Sequence, residues 1–93
     1  MNGQMQDRSK NVLEIANELT GGDRQKDYGH PRDNFQKIAD LWAGYKGLNY
    51  KYTPEDVAMM MILVKVARQK NKPKNDNLID IAGYARTAEM INE

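Results

Sequence analysis

The run Val57-Ala58-Met59-Met60-Met61-Ile62-Leu63-Val64-Lys65-Val66-Ala67 sets ten apolar residues and one charge in eleven positions. A helix this apolar on every side has to be covered by neighbours or by a partner chain. Its start is marked by Thr53-Pro54-Glu55-Asp56: an N-cap threonine, a proline where the missing N–H costs nothing, and acids at the positive end of the dipole. The chain is therefore expected to build around one central helix. Lys65 on that helix must reach water along its own stem, meet an anion or lose its proton. The three consecutive methionines are read as adaptable core filling.

With 93 residues there is room for one domain, 1–93, which buries only roughly 60–65% of its unfolded surface. A thin core of that kind makes a partner subunit the natural cover for the third helix. The net charge of +1, with 29% charged residues, gives no long-range field for DNA, RNA or an anionic membrane, so any anion site must be local. The lack of cysteine removes disulfides and thiolate metal sites. Residues 1–8 are polar and read as a flexible N-terminus without the apolar core of a signal peptide. No stretch approaches the roughly 18 apolar residues of a membrane span, and a cytoplasmic protein is expected.

Three further segments carry helical periodicity and none carries strand alternation. Ser9 to Leu19 sets Val12, Leu13, Ala16 and Leu19 on one face, with Gly21-Gly22 expected to supply a left-handed terminus. Pro31 opens a second helix with Phe35, Ile38, Ala39 and Trp42 facing inward, ended by Gly44 and Gly47. A fourth follows the polar loop Lys70-Asn71-Lys72-Pro73-Lys74-Asn75, capped by Asn75 or Asp76, with Leu78, Ala82 and Ala85 inward. The predicted fold class is all-α: a four-helix, bundle-like single domain completed by oligomerisation.

Two places carry the chemistry. If helices three and four form an antiparallel hairpin about Lys72, then Lys65 faces Asp80 and Arg68 faces Asp76, two opposite-charge pairs across one interface. Those four residues are read either as buried salt bridges, often near neutral for stability, or as a pocket in which the bases hold phosphate and the acids hold ribose or metal. Gly83 and Thr87 lie on the same stripe, and a mid-helix glycine costs about 1 kcal/mol against alanine and so needs a reason. The second place is the connection Thr20 to His30, long for a helix connection, which brings Arg24, Tyr28 and the sole histidine to a helix N-terminus. Tyr28 is read as a base-stacking residue, and His30 as a phosphate contact or a cap.

The strings Gly22-Asp23-Arg24-Gln25-Lys26-Asp27-Tyr28-Gly29-His30-Pro31-Arg32-Asp33-Asn34-Phe35, Lys65-Val66-Ala67-Arg68 and Asp76-Asn77-Leu78-Ile79-Asp80-Ile81-Ala82-Gly83-Tyr84 resemble a small domain of unknown function common in phage and prophage genomes. The last string is also similar to the acidic helix of MazG-like all-α nucleoside-triphosphate pyrophosphohydrolases. That resemblance implies magnesium held by carboxylates, with Asp76 and Asp80 as the acids here. Asn77 stands where that family has a glutamate, and its earlier Glu-x-x-Glu pair is missing, since Glu14 and Glu18 are four apart. Hydrolysis needs several carboxylates around the metal, so binding is expected rather than catalysis.

The expected function is thus a non-catalytic, homo-oligomeric nucleotide-binding protein of phage type, acting by analogy as a sponge for a nucleotide immune signal of the host. The candidate contacts are Arg24, Tyr28, His30, Asn34, Lys65, Arg68 and Tyr84, with no cofactor. Two alternatives stay open: a Mg2+-dependent MazG-like pyrophosphohydrolase using Asp76 and Asp80, and a helical protein-interaction module.

Overall fold

A computed structural model describes residues 9–22, 29–47 and 49–93. The described residues form four helices in the expected order: α1 (Val12–Gly21), α2 (Pro31–Lys46), α3 (Pro54–Asn71) and α4 (Asn75–Ile91). The chain is a single small all-α domain. The expectation for residues 1–8 lies outside the described residues.

The helix starts follow local chemistry. Asn11 and Glu14 form a capping box on α1, with the Glu14 N–H donating to Asn11 Oδ1 at 2.9 Å and Glu14 Oε1 accepting from the Asn11 N–H at 3.1 Å. Thr53 and Asp56 do the same for α3 at 3.0 and 2.9 Å, which satisfies two otherwise orphaned donors at each start. α2 begins at Pro31 and stops at Gly47, whose φ of 132° is closed to most side chains.

Three terminus readings need correction. Gly44 lies inside α2 and does not end it. Gly22 is not left-handed; its φ is −106°, and a Cβ there would sit 3.1 Å from the Glu18 carbonyl oxygen. Crowding, not φ, is what the missing side chain relieves. α4 is capped by neither Asn75 nor Asp76 but starts after Lys74, whose side chain makes no cap bond. Gln69 on the last turn of α3 supplies the acceptor instead. Its Oε1 accepts from the Lys74 N–H at 3.0 Å and from Asn77 Nδ2 at 3.1 Å, and this clamp fixes the α3–α4 turn.

Packing places α4 between α1 and α3, with α2 lying across α3. Phe35 and Ala39 of α2, Val57 and Ala58 of α3, and Ala88 and Ile91 of α4 form the core, with Ile38, Trp42, Tyr52, Met61 and Tyr84 against it. Ala39 and Ala58 are fully buried, so two small residues let α2 and α3 approach. The Phe35 and Tyr84 rings pack at 6.3 Å between centroids, and Trp42 meets Tyr52 edge-on at 6.1 Å. Phe35 and Ala39 are thus inward as expected.

Other faces fall differently. α1 packs on α4 rather than covering α3, and it buries Ala16 and Thr20 while Leu13 and Leu19 stay exposed. α4 turns Asn77, Ile79, Thr87, Ala88, Met90 and Ile91 inward, not Leu78 and Ala85. It is flanked by two helices, so its inward face is a wide arc and no single apolar stripe defines it. The domain measures 47 × 31 × 19 Å, and its thin dimension is only about two helix diameters. That flatness leaves one side of α3 bare: Met59, Met60, Leu63, Val64 and Val66 are all exposed.

Gly83 faces α1, where a Cβ would meet Thr20 Cγ2 at an ordinary 3.7 Å. Gly83→Ala should therefore raise stability by up to about 1 kcal/mol through helix propensity. Chemical denaturation checks this; a loss of stability would mean that α1 and α4 need closer contact than the structure gives them.

Candidate functional site

The antiparallel α3–α4 hairpin brings Lys65 Nζ to 2.9 Å from Asp80 Oδ2, the pairing expected from their equal distance to the turn. The side chains are 14% and 30% exposed, so this is a half-buried ion pair. Arg68 and Asp76 do not repeat it. Both are exposed, no ion pair joins them among the described residues, and they border open space instead. Nearer the turn a hydrogen bond from Asn77 Nδ2 to Gln69 Oε1, at 3.1 Å, joins the two helices in place of a charge pair.

That space is a cleft of about 380 Å³ lined by Lys65, Arg68, Lys72, Lys74, Asp76 and Asn77, with Ala67 and Asn71. Four cations border it and Asp76 is the one acid in the lining. With Lys65 committed to Asp80, the available donors are Arg68, Lys72 and Lys74. A guanidinium and two ammonium groups around one opening suit a multiply charged oxyanion, because charge-assisted hydrogen bonds are the strong ones and the arginine fork matches phosphate.

A second, smaller cavity of about 90 Å³ lies between α1 and α4, lined by Ala16, Leu19, Thr20, Ile79, Asp80, Gly83, Tyr84 and Thr87. Lys65 borders the first cavity and Asp80 the second, so their ion pair separates the two. Thr20 and Thr87 each donate to a carbonyl one turn back, at 3.0 Å to Ala16 and 2.8 Å to Gly83. Those bonds let polar residues face inward without an orphaned donor.

Two further candidates stand at the start of α2. His30 caps α2, its Nδ1 accepting from the Arg32 N–H at 3.1 Å, and Asn34 sits on the same first turn; neither lines either cavity. Arg24 and Tyr28 lie outside the described residues. Sequence reasoning missed Lys72, Lys74, Gln69 and Asn77, although the lysine-rich loop after α3 was the available signal.

Among the described residues, Asp76 and Asp80 do not gather into a magnesium site. Asp76 and Asp80 border different cavities, Asp80 is held by Lys65, and among the described residues no three His, Asp or Glu side chains gather around one point. A hydrolytic metal centre of the MazG kind needs such a group.

Fold and clefts together define a small all-α domain built on a cation-edged helical hairpin. A family model described as a domain of unknown function, DUF6378, matches residues 11–92, and the chain belongs to that family. It is similar to the gene 55 protein of Mycobacterium phage L5, 46% identical over 81 residues that cover 86% of this chain and 51% of that protein. The gene 55 protein of Mycobacterium phage D29 is 46% identical over 86 residues, covering 91% of this chain and 56% of that protein. The chain thus spans about half the length of the curated relatives it matches. No solved structure matches. Among the described residues, no helix is long and apolar enough to cross a membrane.

Proposed function

We propose that this domain binds a phosphorylated nucleotide at the α3–α4 turn and releases it unchanged. The observation that carries the reading is the 380 Å³ cleft edged by Arg68, Lys72 and Lys74 beside the occupied Lys65, a volume within the usual 300–1,000 Å³ of small-molecule sites. Its cations suit phosphate, and among the described residues the carboxylates are too dispersed to hold a metal that activates water. The relatives are phage proteins, which supports a role in sequestering a nucleotide signal of the host. Binding without turnover is what sequestration requires.

Titration calorimetry with mono-, tri- and cyclic nucleotides should register binding by at least one class. Arg68→Met should weaken it about 10- to 100-fold, the equivalent of one charge-assisted hydrogen bond at about 1.5–3 kcal/mol, and Lys72→Met should add to the loss. Chromatography should return the ligand intact. Release of pyrophosphate would make the domain a hydrolase, and no heat from any nucleotide would leave an interaction module as the reading.

A further inference from the structure

α3 carries a second surface, which meets the cleft only at Ala67. At 3.6 residues per turn, Asp56, Met59, Leu63, Val66 and Lys70 recur at intervals of three and four and form one seam, flanked by Met60 and Ala67. Every one of these is exposed, Leu63 by 66% and Val66 by 49%. The spacing is that of a coiled-coil seam with apolar layers in the middle and an opposite charge at each end.

The seam is complementary to itself in one orientation. Asp56 and Lys70 are each seven residues from Leu63, Met59 and Ala67 four, and Met60 and Val66 three. We infer that two copies of this chain pair α3 against α3 in antiparallel fashion, about a two-fold axis through Leu63. Leu63 then meets its own copy, Met59 and Met60 meet the partner's Ala67 and the partner's Val66, and Asp56 meets the partner's Lys70 at both ends. A parallel arrangement sets Asp56 on Asp56 and Lys70 on Lys70, so like charges exclude it. Asp56 gives one carboxylate oxygen, Oδ2, to the Thr53 N–H, which leaves the other for the lysine, and Lys70 makes no ion pair among the described residues.

An isologous contact closes on itself and stops at two subunits. Lys65 and Arg68 lie around the opposite side of α3 and stay open to solvent in the dimer, and Ala67 at the edge of the seam is the one residue it shares with the cleft. The inference stands independently of what the clefts bind.

The two-fold axis gives a sharp test. Leu63→Lys and Leu63→Glu each set like charges face to face, and the residue is too exposed for either change to disturb the fold, which circular dichroism checks. In sedimentation velocity at micromolar concentration the parent chain should run as a dimer and each variant as a monomer. An equimolar mixture should then recover a mixed dimer in native mass spectrometry. A monomeric parent, variants that stay dimeric, or folded variants that fail to pair on mixing would each overturn the inference.

Discussion

Ile79→Ala should lower the stability of the domain by about 3 kcal/mol, within the 2–5 kcal/mol typical of large-to-small changes at buried aliphatic sites. Ile79 and Val57 are the largest side chains buried below 2% exposure, so little else in this thin core can take over their burial. Ile79 also borders the α1–α4 cavity, and truncation enlarges a space that already exists, leaving neighbours without contacts on one side. A chain of 93 residues has a total stability of about 5–14 kcal/mol at 0.05–0.15 kcal/mol per residue. The loss is then a large fraction of the whole, and the melting temperature should fall by roughly 10–20 °C. Leu13→Ala is the control: with that side chain 66% exposed, its effect should stay within about 0.5 kcal/mol. Equal effects from the two substitutions would contradict the observed orientation of α1 and α4.

The contrast between Ile79 and Leu13 also shows where sequence patterning succeeds. Features determined by neighbours in the chain were legible. Thr53-Pro54 starts α3 and Pro31 starts α2 because capping and proline geometry are local. Lys65 meets Asp80 because a short turn between antiparallel helices sets their height. Features determined by which helix lies beside which were not legible. Thr20, Asn77 and Thr87 point inward because bonds to nearby backbone or to Gln69 satisfy them, whereas hydropathy alone turns such residues toward solvent. Leu13, Leu19 and Leu78 face outward because α4 is wedged between two helices and α1 packs on it rather than on α3. The cleft was half legible: the quartet pointed to Lys65 and Arg68, but the lysines of the turn join them only because the Gln69–Asn77 clamp holds that turn in place.

Lys65→Met is the substitution that separates the two roles of the hairpin charges. Methionine keeps most of the volume of the lysine stem, so the principal change is that Asp80 loses the cation at 2.9 Å. A fully buried carboxylate stranded in this way costs about 3–5 kcal/mol. Asp80 keeps 30% of its side chain in water, so the expected loss is smaller, about 1–3 kcal/mol. Adding Asp80→Leu removes the stranded charge and should restore most of that loss, giving a coupling of about 1–2 kcal/mol in a double-mutant cycle. Binding should follow a different order. Because the Lys65 ammonium is already engaged, Lys65→Met should reduce nucleotide affinity less than Arg68→Met, whose guanidinium has no carboxylate partner among the described residues. Melting curves on the parent, Lys65→Met, Asp80→Leu and the double variant, with calorimetry on the parent, Lys65→Met and Arg68→Met, read the two effects. Additive stability losses would mean that the ion pair does not hold α3 to α4, whereas a greater loss of binding at Lys65 than at Arg68 would move the phosphate toward the ion pair and away from the turn.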